Sequence, residues 1–182
     1  SLEIEPSPLN GPVNVLVVED STADFQLLME LCGSASSHSL RFTQVTRLRD
    51  LHSALEGESK PDVVLLDLGL PDSQARDTLS RASALRQSTP ILILGNSRND
   101  KAMDQAIAYG FEDFIRKDEC DGEQLTRRIR FALTRHRRND ALFQQANYDY
   151  LTQVANRGLF NDRLAHGIER AERSREMLAV ML

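Results

Sequence analysis

A chain of 182 residues with 41% hydrophobic and 27% charged side chains holds one full domain and a remainder, and this composition excludes fibrous and disordered classes. The net charge of -5 argues against nucleic-acid binding by the whole chain, because such binding rests on neutralising phosphates with Lys and Arg. No apolar run approaches the roughly 18 to 20 residues that span a bilayer, the N-terminus has no signal-peptide stretch, and Cys32 and Cys120 form no paired framework, so a cytoplasmic setting is expected.

Residues 1–12 read as a tail. Short apolar runs then follow at Val13 to Val18, Val63 to Leu66, Ile91 to Leu94 and Phe111 to Ile115, with a weaker one at Leu40 to Val45. Between them the pattern predicts helices at Thr22 to Gly33, Leu48 to Glu56, Asp77 to Arg86 and Lys101 to Tyr109, with Gly33 and Gly110 as C-terminal stops. Runs that are apolar throughout predict strands buried on both faces, and hence an α/β fold whose parallel sheet is covered by helices. The expectation is a doubly wound, flavodoxin-like five-stranded sheet in the order 2-1-3-4-5.

From Asp121 one long helix is predicted, with Leu125, Ile129, Ala132, His136, Asn139, Phe143 and Ala146 spaced as a heptad seam. A turn after Tyr150 precedes a helix from Leu159 to Arg173 and a strand-like Leu178 to Leu182.

Parallel α/β sheets bind ligands beyond the carboxyl ends of their strands, where this sequence places Glu19, Asp20, Asp67, Gly95 and Lys117. Strands 1 and 3 are neighbours in the expected order, so three carboxylates converge. Two unit charges ~4 Å apart repel by roughly 4 kcal/mol at an effective dielectric of about 20, which calls for a hard divalent cation. Magnesium suits a site of few carboxylates because it keeps several waters and leaves room for a phosphoryl oxygen. Beside it and Lys117, Asp67 is placed to act as a nucleophile on phosphorus. Taken singly, each acid also reads as a helix cap or turn former, and Asp20-Ser21-Thr22 would cap the next helix.

The runs VLVVED, VVLLDLGLPD and DFIRK, at these intervals, resemble the receiver domain of bacterial two-component response regulators over residues 13–136. That resemblance implies Asp67 as phosphoacceptor, with magnesium held by Asp20, Asp67 and the Gly69 backbone carbonyl and by Glu19 through water. It also implies Lys117 as holder of the phosphoryl group, and a sensor histidine kinase or phosphotransfer protein as donor. Phe114 matches the family's switch aromatic, although an aromatic in a closing strand also reads as plain core. Gly95 departs from the family's Thr or Ser, and the lost hydrogen bond to a charged group, worth roughly 1.5 to 3 kcal/mol, is expected to weaken switching. Asn96 or Ser97 is a candidate substitute donor. Ala75 stands where the family places glycine, with little expected effect on the chemistry.

Residues 137–148 read as a helical linker. Asp149, Leu151, Thr152, Asn156 and Arg157, with Leu159-Phe160-Asn161-Asp162-Arg163-Leu164, resemble the DxLTGLPNR opening of GGDEF domains, so 149–182 reads as the truncated start of one. Gln153, Val154 and Ala155 depart from the family's Gly, Leu and Pro, and a simple helical hairpin capped by Asn156 is the plainer reading. The resemblance implies a cyclic-di-GMP output, either cyclase or, with a following EAL domain, phosphodiesterase; the catalytic loop would lie beyond Leu182, leaving the enzyme question open. The heptad seam implies a homodimer through the last receiver helix and linker. Arg127, Arg128, Arg130, Arg135, Arg137 and Arg138 form a basic run with no aromatics interleaved at stacking positions, which reads as a solvated helix face rather than a nucleic-acid or membrane contact. A degenerate receiver serving as a phosphorylation-independent dimerisation module is the alternative; a flavodoxin-like nucleotide binder is disfavoured because Glu19 and Asp20 occupy the loop that would cradle phosphate.

Overall fold

The computed structural model describes residues 11–35, 40–57, 59–86, 88–95 and 100–180. The chain divides into two compact units at the bond between His136 and Arg137.

In the first unit, strands β1 (Val13–Val18), β2 (Leu40–Val45), β3 (Val63–Asp67), β4 (Ile91–Gly95) and β5 (Asp113–Arg116) form one parallel sheet in the order β2-β1-β3-β4-β5. Helices α1 (Thr22–Ala35), α2 (Leu51–Glu56), α3 (Ala75–Ser83), α4 (Asp100–Ala108) and α5 (Gly122–Asn147) connect and cover it, with a 3-10 turn at Leu48–Asp50 before α2. The two-residue period of each strand explains why every residue of β3 and β4 is buried. Leu16, Val18, Val64, Leu66, Ile91 and Ile93 point to one face and pack with Leu51, Leu55, Leu79, Ala82 and Ala106 from α2, α3 and α4. Their neighbours Val15, Val17, Val63, Leu65, Leu92 and Leu94 point to the other and pack with Cys32 of α1 and Leu125, Ile129, Ala132 and Leu133 of α5.

Several element ends differ from the sequence expectation. Helix α1 runs through Gly33, which has open space around it and no positive φ, so it ends nothing. Gly110 does act as a stop: at φ +75° its N–H donates to Ile107 O and the Phe111 N–H to Ala106 O, a paired closure of α4's last turn. Phe111 belongs to that closure, and β5 starts two residues later than predicted.

The first half of the predicted heptad seam is not a partner surface. Leu125, Ile129 and Ala132 are consumed by the domain's own core, while Asn139, Phe143 and Ala146 are exposed. Two arginines of the basic run are tied to the edge of β5: Arg128 Nη1 lies 2.6 Å from Asp113 Oδ2 and Arg135 Nε 2.7 Å from Glu112 Oε2.

In the second unit, the C-terminal part of α5 is followed by a turn and α6 (Arg157–Ser174). Asp149 Oδ1 accepts from the Leu151 and Thr152 N–H groups and from Thr152 Oγ1. Asn156 accepts from Leu159 N as the cap of α6 and donates through Nδ2 to Ala146 O at 2.7 Å. The capped hairpin is therefore real. Gln153 adopts φ 57°, a left-handed conformation that favours glycine. Residues 178–180 are irregular rather than a strand, since a strand needs a paired neighbour and the described residues around them offer none. Met181 and Leu182 lie outside the described residues.

Asp72 is a structural residue that the motif conceals. The 3-10 turn has no side-chain cap of its own, and Asp72, from the loop after β3, accepts from Leu48 N at 3.1 Å and Arg49 N at 3.2 Å. Desolvation would raise its carboxyl, but these N–H groups outweigh that and hold it below the ordinary carboxylate range. Asp72→Ala is expected to lower stability by about 1 kcal/mol in urea unfolding. Because the folded carboxyl is depressed, this contribution is present at neutral pH and disappears as acid drives the pH down through the folded value. A mutant as stable as wild type at neutral pH would show that the cap carries nothing.

Candidate functional site

Register places the acids. Val18 pairs with Leu66, so Glu19, one residue beyond, leaves the sheet beside Asp67 at the end of β3. The main chain of Glu19 is pinned by β2: its N–H donates to Val45 O at 3.0 Å and its carbonyl accepts from Gln44 Nε2 at 2.7 Å. Glu19 and Asp67 are buried and Asp20 is exposed, and one carboxylate oxygen from each lies within 4.8 Å of the others. Ser21, rather than Asp20, caps α1 by accepting from Asp24 N at 3.1 Å.

Lys117 arrives from β5. Gly95 pairs with Arg116, and the Lys117 N–H donates to Gly95 O at 3.0 Å, turning the side chain over the strand ends. Its Nζ lies 2.5 Å from Glu19 Oε2, 2.8 Å from Asp67 Oδ1 and 3.2 Å from Asp24 Oδ2. Desolvation would lower the ammonium's pKa, but the hydrogen bonds and charges of Asp67 and Glu19 prevail and push it well above its ordinary value, so Lys117 is a fixed cation. Burial raises the Glu19 carboxyl; the hydrogen bond from Lys117 opposes that rise and the Asp67 charge adds to it. Asp67 Oδ2 accepts from the Gly69 N–H at 2.7 Å, which fixes the carboxylate's orientation.

These groups line a pocket of about 340 Å³ together with Ala75, Gly95 and Phe114. All the predicted residues, Glu19, Asp20, Asp67, Gly69, Gly95, Phe114 and Lys117, are thus brought to one place. Three hard carboxylate oxygens at this spacing, with two acids buried and one open to solvent, fit a small divalent cation that keeps part of its water. Glu19, Asp20 and Asp67 are the residues that would hold it.

Gly95 and Phe114 turn out to be complementary. A Cβ on residue 95 would stand 2.5 Å from Phe114 Cζ and 3.2 and 3.3 Å from the two Cε atoms, so the ring takes the space that a larger residue would need. Phe114 also packs against the core of the α2, α3 and α4 face, so it serves both as core and as a wall of the site. Asn96 and Ser97 lie outside the described residues. Sequence reasoning missed Asp24, which reads there only as a first-turn acid favoured by the helix dipole, and Gln44, whose role depends on a strand register.

A doubly wound α/β domain with an acidic, lysine-bridged pocket at the strand ends is the class that fold and site define. A family profile described as the response regulator receiver domain matches residues 15–130. The chain belongs to that family.

The KDP operon transcriptional regulatory protein KdpE of Escherichia coli is 31% identical over 153 residues, covering 80% of this chain and 64% of that protein. The transcriptional regulatory protein BasR of the same organism is 32% identical over 126 residues, covering 68% of this chain and 54% of its own. This chain therefore spans less than two thirds of either relative. Among solved structures, the signal receiver domain of a Luxo repressor protein from Vibrio parahaemolyticus matches with TM-score 0.60 and 27% identity, over 72% of this chain and 97% of that one. The phosphorylated cyanobacterial phytochrome response regulator RcpA shares the fold with TM-score 0.52 at 23% identity, over 68% of this chain and 90% of its own.

The contact between residue 95 and the ring gives a direct test. Gly95→Ala is expected to cost about 1 to 3 kcal/mol by overpacking and to shift the Phe114 ring resonances. In a double-mutant cycle, Phe114→Ala should relieve most of that cost, a coupling of about 1 kcal/mol or more. Additive effects would mean that the ring does not occupy this space.

Proposed function

We propose that this receiver is a working phosphoacceptor in which Asp67 takes a phosphoryl group with the help of magnesium. The observation that carries the reading is the Asp67 carboxylate, oriented by the Gly69 N–H, paired with Lys117 and within reach of Glu19 and Asp20. An Asp67 oxygen attacks phosphorus of a phosphohistidine or small phosphodonor; the new P–O bond forms as the bond to the leaving group breaks, and the leaving group departs with its electron pair. Lys117 stabilises charge on the transferring oxygens. When bound, magnesium would supply the remaining neutralisation. That RcpA is described as phosphorylated accords with this chemistry on the same fold.

The donor in this reading is a sensor histidine kinase or phosphotransfer protein. The receiver spans residues 13–136, with residues 137–148 as linker and 149–182 as the start of a GGDEF domain. The left-handed Gln153 supports the last assignment, because it stands where that family's opening has glycine. A cyclic-di-GMP output, cyclase or phosphodiesterase, follows from it. The exposed Leu142 and Phe143 on α5 favour a homodimer along the linker, outside the part of the helix that the core has claimed. Among the described residues no helix is long and apolar enough to cross a membrane, and a cytoplasmic setting is part of the reading.

A second reading is favoured by Gly95 alone: without the family's hydroxyl, the domain serves as an interaction module that does not depend on phosphate. Intact-mass measurement after incubation with acetyl phosphate and magnesium separates the two. Wild type should gain one phosphoryl group, and Asp67→Asn or omission of magnesium should abolish the gain. An unmodified wild type would favour the module.

A further inference from the structure

We propose that Asp24 is a positioning residue for Lys117 that holds the ammonium's third hydrogen in the resting site and sets the negative potential met by an incoming donor. The proposal rests on the phosphoacceptor reading above.

An ammonium has three N–H donors and no acceptor. Here all three have carboxylate partners: Glu19, Asp67 and Asp24. The partners are unequal. The side chains of Glu19 and Asp67 are 2% and 9% exposed, whereas that of Asp24 is 50% exposed. A buried carboxylate that loses its partner is left with an uncompensated charge, but a half-exposed one regains water at little cost. When phosphoryl oxygens enter, Lys117 must release one partner, and the one released at least cost is Asp24.

Asp24 also makes a fourth carboxylate, with Glu19, Asp20 and Asp67, in a pocket that holds one lysine and must admit an anion. Its backbone is fixed by the Ser21 cap and its position in the first turn of α1, so the charge has little freedom to leave the mouth. A unit charge ~6 Å from a dication in water-like surroundings changes its binding by roughly three- to tenfold, depending on salt. Removing Asp24 therefore has opposite effects on the two ligands: the cation binds less tightly, and an anionic donor approaches more easily.

The test compares wild type, Asp24→Asn and Asp24→Glu. Magnesium affinity is measured by calorimetry, since the chain has no tryptophan to report on the site. Phosphorylation rates are then measured at saturating magnesium with acetyl phosphate and with the less charged phosphoramidate. For Asp24→Asn the expected result is magnesium binding weakened about three- to tenfold, together with faster phosphorylation by acetyl phosphate than wild type. The gain should be smaller with phosphoramidate, both effects should fade at high salt, and Asp24→Glu should restore both. The unfolding midpoint should barely move, as for other half-exposed pairs. Unchanged magnesium affinity and unchanged rates in Asp24→Asn would overturn the role of Asp24. Wild type that takes phosphate from neither donor, with the magnesium shift still present, would instead count against the phosphoacceptor reading and leave the charge-setting role supported.

Discussion

The ion cluster of Glu19, Asp67 and Lys117 is the constraint to which the rest of the first unit is built. Two buried carboxylates side by side are unfavourable without a cation, and a buried ammonium is unfavourable without anions; the three are tolerable only together. Their association depends on strands far apart in the chain, since 98 residues separate Glu19 from Lys117. The sheet supplies the rigidity. In register, β3 ends one residue beyond β1 and β5 one beyond β3, and none can slip without moving its apolar side chains to the wrong face.

The two cores serve that end differently. The face under α1 and α5 fixes the helices that carry Asp24 and follow Lys117, while the face under α2, α3 and α4 carries Phe114 to the wall of the pocket. The missing side chain at Gly95 is therefore not simply a lost hydroxyl. It creates the volume that the Phe114 ring fills, which couples the wall of the site to the helical face behind it.

Strand positions and order were legible because residues buried on both faces leave continuous apolar runs, and the site was legible because ligand groups in this architecture follow those runs. What the sequence hid were interactions across distance. Asp72 reads as part of a motif but caps a turn 24 residues earlier in the chain, and Asp24 reads as a helix-start acid until Lys117 is brought to it. The heptad pattern in α5 misled because a helix packed on a sheet and a helix packed on its twin show the same apolar spacing; Leu125, Ile129 and Ala132 pack on the sheet. Gly33 misled because glycine stops a helix only where the backbone turns left-handed, as at Gly110.

The central claim is that Glu19, Asp20 and Asp67 form one divalent-cation site beside Lys117. Paramagnetic broadening of amide signals by manganese tests it most directly. The account predicts that sub-stoichiometric manganese erases the signals of residues 19–21, 67–69 and 117 first, and that magnesium competes them back. Broadening centred elsewhere, or none that magnesium reverses, would contradict it.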